Sequence, residues 1–254
     1  MLSDRFFRMK KYILSMIVFC GIVAFFLLLY FGFTKRTMIM VTNKISIADF
    51  VDLLGSGSFM NILLIPICVF FTTTISEYNS SSFNYYIRNK SRTDIFLKRF
   101  AKILIASVAI VVFILLISVA TAGLFTAEFI NWNNYDSYFY LSRKMLLNID
   151  FINLMLCSFA KLFFPITFFS CLGSTISIVC KKTISFLIII LISTSNVFGY
   201  IKLFIDNKFI NYNFSTGYYL SFSSIVLIFI IFPLMTLITL IVTVKLAKRK
   251  DLLN

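Results

Sequence analysis

Side chains that could carry out catalysis are scarce in this 254-residue chain. It contains no histidine, which removes the commonest general base and metal ligand. None of the eight glycines precedes a lysine, so the phosphate-binding GxxxxGK(S/T) loop is absent, and the GxSxG nucleophile motif is absent too. An intramembrane protease would need a catalytic pair of acidic residues in the apolar stretches, and no such pair is present. The sequence therefore predicts a protein that is not an enzyme.

Lys161 and Asn196 are polar residues that lie within or beside the apolar stretches. A charged group in a membrane is costly and often functional, so Lys161 has two interpretations. Its stem lies along lipid while the ammonium reaches the membrane surface, or the ammonium lines a substrate path; we favour the first. Asn196 is expected to make a hydrogen bond between helices rather than to contact a substrate.

All three prolines, Pro66, Pro165 and Pro233, also fall within apolar stretches. A proline inside a helix removes a backbone hydrogen bond and clashes with the preceding turn, so a kink or break is expected at each. Such sites accommodate packing or act as hinges along a substrate path, and the sequence favours neither.

The polar segment SEYNSSSFNYYIRNKSRTDIFLKRF, residues 76–100, is the longest basic stretch between two apolar runs. Phe83, Tyr86 and Ile87 are spaced to share one face of a short amphipathic helix. Ser91 and Asp94 fit the (S/T)xx(D/E) capping box, which predicts a new helix that begins at Ser91 and continues into the next apolar run. The segment is therefore either a helix on the lipid headgroups or a knob that docks on a partner protein.

The apolar runs that flank these residues predict an all-α membrane protein. Hydrophobic residues make up 60% of the chain and charged residues only 13%, about half the charged fraction of a soluble domain. Uncharged runs of about 18 residues or more are long enough to cross a bilayer. We predict one membrane domain over residues 1–254 with six transmembrane helices, at about 12–33, 55–75, 103–127, 162–180, 183–202 and 219–244.

The basic residues predict the orientation of these spans, because cytoplasmic loops retain Lys and Arg. Sixteen of the 24 lie before span 1, between spans 2 and 3, between spans 4 and 5, or after span 6, while seven lie on the other side. Both termini are therefore predicted to be cytoplasmic, and the net charge of +14 is accounted for by anionic lipid rather than nucleic acid. The aromatic residues of the outer segment 126–150 either contact a ligand or anchor the chain at the membrane surface, and we favour anchoring; they are Trp132, Tyr135, Tyr138 and Tyr140.

Six spans, cytoplasmic termini and the loop after span 2 together resemble the permease subunits of type 2 ATP-binding-cassette (ABC) transporters. The loop carries the resemblance through a glutamate, an apolar group, a Ser-Arg pair and a lysine: Glu77, residues 85–87, Ser91, Arg92 and Lys98. The resemblance implies that this loop is a coupling helix that docks on a separate cytoplasmic ATPase. The implied docking residues are Glu77, Phe83, Tyr85, Tyr86, Ile87, Arg88, Ser91 and Arg92. It also implies an N-terminal amphipathic elbow helix, with Leu2, Phe6 and Met9 on its apolar face.

In this family the ATPase subunit binds ATP and magnesium, so the permease needs no cofactor of its own. The resemblance further implies a second permease copy, identical or similar, and a path at the interface of the two. Small systems of this kind resemble exporters of antimicrobial or cytolytic peptides, including lantibiotic-immunity permeases and staphylococcal exporters of phenol-soluble modulins. The expected substrate is an amphipathic peptide, and the expected location is a bacterial cell membrane. The alternative is a sensor or immunity protein that binds peptides without transporting them.

Overall fold

A computed structural model describes residues 2–54, 59–77, 92–144, 146–198 and 227–252. Within these ranges the regular elements are all helical, and no β-strand is present. The eight α-helices of the described residues are α1 (Leu2–Ile39), α2 (Ile47–Leu53), α3 (Ile65–Glu77), α4 (Arg92–Gly123), α5 (Tyr138–Arg143), α6 (Phe151–Val179), α7 (Lys182–Phe198) and α8 (Phe232–Leu252).

Four helical segments within these ranges are long and apolar enough to cross a membrane. They are Ile17–Ile39, Asp94–Gly123, Phe151–Val179 and Phe229–Leu246, and they lie where spans 1, 3, 4 and 6 are predicted. Two shorter apolar helices, Ile62–Ser76 and Lys182–Thr194, lie at the predicted spans 2 and 5. The prediction of an all-α membrane protein is thus supported by four helices of spanning length and two shorter apolar ones.

The N-terminal region differs from the expected elbow. Helix α1 continues without interruption from Leu2 to Ile39, so the elbow predicted around Leu2, Phe6 and Met9 is not a separate element. Residues 11–20 contain neither glycine nor proline, the residues that most readily end a helix. At about 1.5 Å per residue, α1 is about 57 Å long, well beyond the thickness of a bilayer core.

The predicted fourth span begins too late along the chain. Helix α6 starts at Phe151 rather than at residue 162, because residues 151–160 (FINLMLCSFA) contain no charge, glycine or proline to interrupt a helix. The predicted third span ends too late, since α4 ends at Gly123 rather than at residue 127. The first correction places Lys161 well inside α6 instead of at its margin.

The chain divides into two compact units. The first comprises Met1–Leu54 and Val112–Phe159. Its core contains the buried side chains of Ala48, Trp132, Phe139 and Leu154. A row of aromatic rings adds to it, in which Phe50 contacts Phe31 and Phe125 at centroid distances of 5.0 and 5.8 Å.

The second unit comprises Gly55–Val111 and Ala160–Asn254, and hydroxyl groups join its helices. The hydroxyls of Thr72 in α3 and Ser170 in α6 are 2.6 Å apart, and those of Thr175 in α6 and Thr243 in α8 are 2.7 Å apart. Apolar surface alone gives little drive for helices to associate in lipid, so buried hydrogen bonds of this kind fix which helices pair.

Two of the three prolines follow π-helical turns. The turns Met60–Leu64 and Leu227–Ile231 each lead directly into an α-helix whose second residue is proline, Pro66 in α3 and Pro233 in α8. A proline ring clashes with the carbonyl four residues earlier in an α-helix, and a wider π turn moves that carbonyl away. Pro165 instead lies inside α6, which remains α-helical around it.

Candidate functional site

The predicted docking segment begins and ends at helix boundaries. Glu77 is the last residue of α3, and Arg92 is the first residue of α4. The prediction that one helix leads from this segment into span 3 is confirmed. The remaining predicted docking residues, Phe83, Tyr85, Tyr86, Ile87, Arg88 and Ser91, lie outside the described residues.

Lys161 is enclosed by protein rather than extended along the surface. Only 2% of the residue is exposed, and it lies ten residues after the start of α6. A snorkelling lysine keeps its ammonium at an open surface, so this burial does not fit the interpretation that we favoured from the sequence. Asn196 is a residue of α7, and its side chain is outside the described part of the structure.

The residues between the helices of the first unit form a folded cap, defined here as residues 40–54 and 124–150. Backbone hydrogen bonds join its two stretches: the N–H groups of Ile47 and Ala48, at the start of α2, donate to the carbonyls of Glu128 and Phe129 at 2.8 and 3.0 Å. These bonds satisfy N–H groups that a helix start otherwise leaves unpaired. The hydroxyl of Thr126 also donates to the carbonyl of Ile45 at 2.7 Å.

A buried carboxylate, Asp49, lies at the centre of the cap. Its Oδ2 accepts hydrogen bonds from the N–H and the hydroxyl of Ser46, each at 2.8 Å. Its Oδ1 accepts a hydrogen bond from the indole Nε1 of Trp132, also at 2.8 Å. Burial raises the pKa of the Asp49 carboxyl from 3.8 to about 6, and these hydrogen bonds oppose the rise.

Trp132 is a core residue of the cap, and its expected role as a membrane-surface anchor is wrong. It is completely buried, and its ring stacks on Phe139 at a centroid distance of 4.2 Å. Tyr135 is 65% exposed and contacts Tyr140 edge to face at 5.1 Å, so these rings remain available for contact with lipid or a ligand. At the cap surface, the exposed ammonium of Lys44 bonds to the Asp136 carboxylate at 2.9 Å, and this bond raises the pKa of Lys44.

The sequence contains a signal for the position of Asp49. Ser46 and Asp49 have the same (S/T)xx(D/E) spacing as Ser91 and Asp94, and α2 begins directly after Ser46. The capping pattern predicts the helix start and the bond from the Ser46 N–H. It does not predict Trp132 as the third donor, because that contact joins residues 83 positions apart.

The second unit contains a groove between α3, α6 and α7, with a volume of about 470 Å³. This volume lies within the range of small-molecule sites. The groove is half open and mainly apolar. The residues that line it are Val69, Phe70, Thr73 and Thr74 of α3, Gly173 and Ser177 of α6, and Lys182, Thr183, Ser185, Phe186 and Ile189 of α7.

The walls of the groove are held by close contacts between the three helices. Phe70 and Phe186 contact each other at a centroid distance of 5.4 Å, and the Ser185 hydroxyl donates to the carbonyl of Gly173 at 2.6 Å. A Cβ atom on Gly173 would lie 3.4 Å from Val69 and 3.5 Å from Ile189, which are ordinary van der Waals distances. Helix α6 therefore packs against both neighbouring helices at this position.

The polar groups that line the groove differ in whether they can donate a hydrogen bond or a positive charge to a ligand. The hydroxyls of Thr73, Thr74 and Ser177 each donate to a carbonyl of their own helix at 2.7 Å, so their hydrogens are already committed. The Ser177 oxygen also accepts a bond from the Arg99 guanidinium at 3.2 Å. Among the described lining residues Lys182 alone is charged, and it lies at the first residue of α7. The groove thus combines an apolar wall with one cationic end.

No protein-family model matches the chain, and neither a curated protein nor a solved structure matches it.

Proposed function

We propose that this chain is the membrane-spanning permease subunit of a type 2 ABC exporter that moves amphipathic or antimicrobial peptides. A separate cytoplasmic ATPase supplies ATP hydrolysis, and a second permease copy, identical or similar, completes the transporter. All six apolar helices cross a bacterial cell membrane, and both termini are cytoplasmic. The absence of a phosphate-binding loop from the sequence supports the assignment of ATP hydrolysis to a separate subunit.

The observation that carries the proposal is the position of the basic segment between two helix ends. Residues 78–91 connect Glu77, the last residue of α3, to Arg92, the first residue of α4. Helix α4 continues from there for 32 residues, about 48 Å, which includes an entire spanning segment. Movement of an ATPase bound to the connecting segment would therefore act directly on a long helix that crosses the membrane.

The enclosed lysine and the folded cap are consistent with a transport role. Lys161 is a buried cation within a spanning helix, and such groups commonly belong to substrate or ion pathways. We assign it to the substrate path, together with Asn196 and the three prolines as path or hinge residues. The exposed aromatic residues of the cap, such as Phe129 and Tyr135, would meet an amphipathic peptide on the outer side.

Co-purification from the native membrane tests this proposal. We expect an ATPase subunit at a roughly one-to-one ratio with the tagged chain, and we expect it to be lost when Phe83, Tyr86 and Ile87 are changed to serine. A matched control changes Lys90 to glutamine, which weakens lipid attraction but leaves every implied docking residue unchanged. Retention of the ATPase by the triple-serine variant, or its absence from the wild-type protein under mild detergent, would contradict docking.

The cap also favours a second candidate, a membrane sensor or immunity protein that binds peptides without transporting them. A folded outer domain with exposed aromatic side chains suits recognition as well as transport. The two candidates differ in their need for energy. ATP-dependent clearance of an amphipathic peptide from reconstituted vesicles indicates transport, whereas peptide binding without a partner ATPase indicates sensing.

A further inference from the structure

The groove between α3, α6 and α7 has the chemistry of a site for an amphipathic anion. Val69, Phe70, Phe186 and Ile189 give it apolar walls, and Lys182 places a cation at one end. No carboxylate is present among the described residues that line it. An occupant that matches this lining needs an apolar chain and a negatively charged head.

The charges around Lys182 strengthen the demand for an anion. Lys181 and Lys182 are both exposed and lie at the amino end of α7, where the helix dipole is positive. The two ammonium groups and the positive end of the helix dipole together attract an anionic headgroup.

The surface beside the groove indicates the apolar part of the occupant. Phe70, Ile184 and Leu187 are 48%, 47% and 52% exposed, so α3 and α7 present apolar surface beside it. Protein interiors and lipid chains pack closely, and an open apolar groove in a membrane does not remain empty. An acyl chain is the apolar group that is always present there.

We propose that this groove binds one anionic phospholipid, with an acyl chain against Phe70 and Phe186 and the phosphate at Lys182. Anionic headgroups are abundant on the cytoplasmic surface, where the basic connection between α6 and α7 is predicted to lie. The bound lipid would fill the space between three helices and tie the start of α7 to the membrane surface. This inference rests on insertion in a membrane and is independent of ATPase docking.

Native mass spectrometry of the protein released from nanodiscs tests the site. The nanodiscs contain phosphatidylcholine and phosphatidylglycerol in equal amounts. We expect the wild-type protein to retain one phosphatidylglycerol in preference to phosphatidylcholine. Lys182→Gln should reduce that preference about fivefold, as expected for one lysine near a headgroup. Lys181→Gln is the matched control, because it removes the same charge from the adjacent exposed residue outside the lining and should keep the preference.

A second pair of variants tests the apolar part. Thr183→Phe adds a ring within the groove and should reduce retention of both lipids, whereas Ile184→Phe adds bulk to the exposed neighbour outside the lining and should not.

Equal losses in Lys181→Gln and Lys182→Gln would indicate diffuse surface attraction and overturn the proposal. Displacement of the lipid by glycerol 3-phosphate would indicate a site for a soluble anion and overturn it too. Failure to retain any lipid also overturns it. None of these results alters ATPase co-purification, which tests the transporter separately.

Discussion

The carboxyl group of Asp49 links the two stretches of the cap through hydrogen bonds. It accepts bonds from Ser46 in one stretch and from Trp132 in the other, and all three are 2.8 Å long. A buried carboxylate loses its hydration, so it is stable only where several donors replace water. The three donors explain why a charged residue is tolerated at 4% exposure.

The raised pKa of Asp49 predicts that the cap loses stability as the pH rises from about 4 to about 6. In that range the folded cap still holds the proton while the unfolded chain, with a pKa of 3.8, has released it. The free energy of unfolding should fall by up to roughly 3 kcal/mol across the range and stay level above it. Trp132 is the only tryptophan, so its emission during denaturant unfolding at each pH measures the effect.

Asp49→Asn is the comparison that isolates this carboxyl from Asp52 and the other acids of the cap. The amide oxygen can still accept from Trp132, but the amide nitrogen would face the donors of Ser46. The variant should be less stable at every pH and should lack the slope between about pH 4 and 6. A slope equal to that of the wild-type protein would assign the proton to another group.

For single residues, the sequence indicated which side chains are unusual but did not predict what surrounds them. Lys161 stood out as a cation beside an apolar run, but its enclosure depends on a helix that starts earlier than the run of highest hydropathy suggests. Trp132 was assigned to the membrane surface because tryptophan is common there. Its burial depends on Asp49 and Phe139, and a pattern within one segment does not reveal such partners.

A contact between two buried hydroxyl groups joins α3 to α6. Thr72→Val keeps the side-chain volume of Thr72 but removes its 2.6 Å contact with Ser170. Interhelical bonds of this kind contribute roughly 1 kcal/mol in membrane proteins, so the free energy of unfolding should fall by about that amount. Unfolding by a denaturing detergent, followed by far-ultraviolet circular dichroism, measures the change.

Thr74→Val provides the control in the same helix. Thr74 is exposed, and its hydroxyl donates only to the carbonyl of Phe70 in α3. The variant therefore makes the same chemical change at a hydroxyl that bonds within its own helix, and it should alter stability by a few tenths of a kcal/mol at most. Equal effects of Thr72→Val and Thr74→Val would show that helix propensity, not the interhelical bond, determines the loss.

The sequence predicted where helices form more accurately than how they begin and end. Hydropathy predicted the positions of four helices of spanning length and two shorter apolar helices. The π turns before Pro66 and Pro233 were not predicted, because proline indicates a break in the hydrogen-bond ladder but not how the backbone closes it. The prediction of a separate elbow helix was wrong for a related reason. A basic amphipathic segment continues into the next helix when no residue between them breaks the helix.

Across the whole molecule, the distribution of charge determines the expected orientation. The net charge of +14 is concentrated in connections that the count of Lys and Arg assigns to one side of the membrane. Helix α6 provides a direct test, since Tyr135 precedes it and Lys181 follows it. Both residues are exposed, and 29 helical residues, about 44 Å, are sufficient to separate them by a bilayer.

We predict that Tyr135 faces the outside of the cell and Lys181 the cytoplasm. Each is replaced by cysteine in a background where the five native cysteines are serine. A membrane-impermeant maleimide should label Tyr135→Cys in intact cells and Lys181→Cys only after permeabilisation. The reverse pattern would invert the orientation and place the lipid-binding end of the groove on the outer surface. Labelling of both positions in intact cells would mean that α6 does not cross the membrane. That result would contradict the proposed permease with six spanning helices.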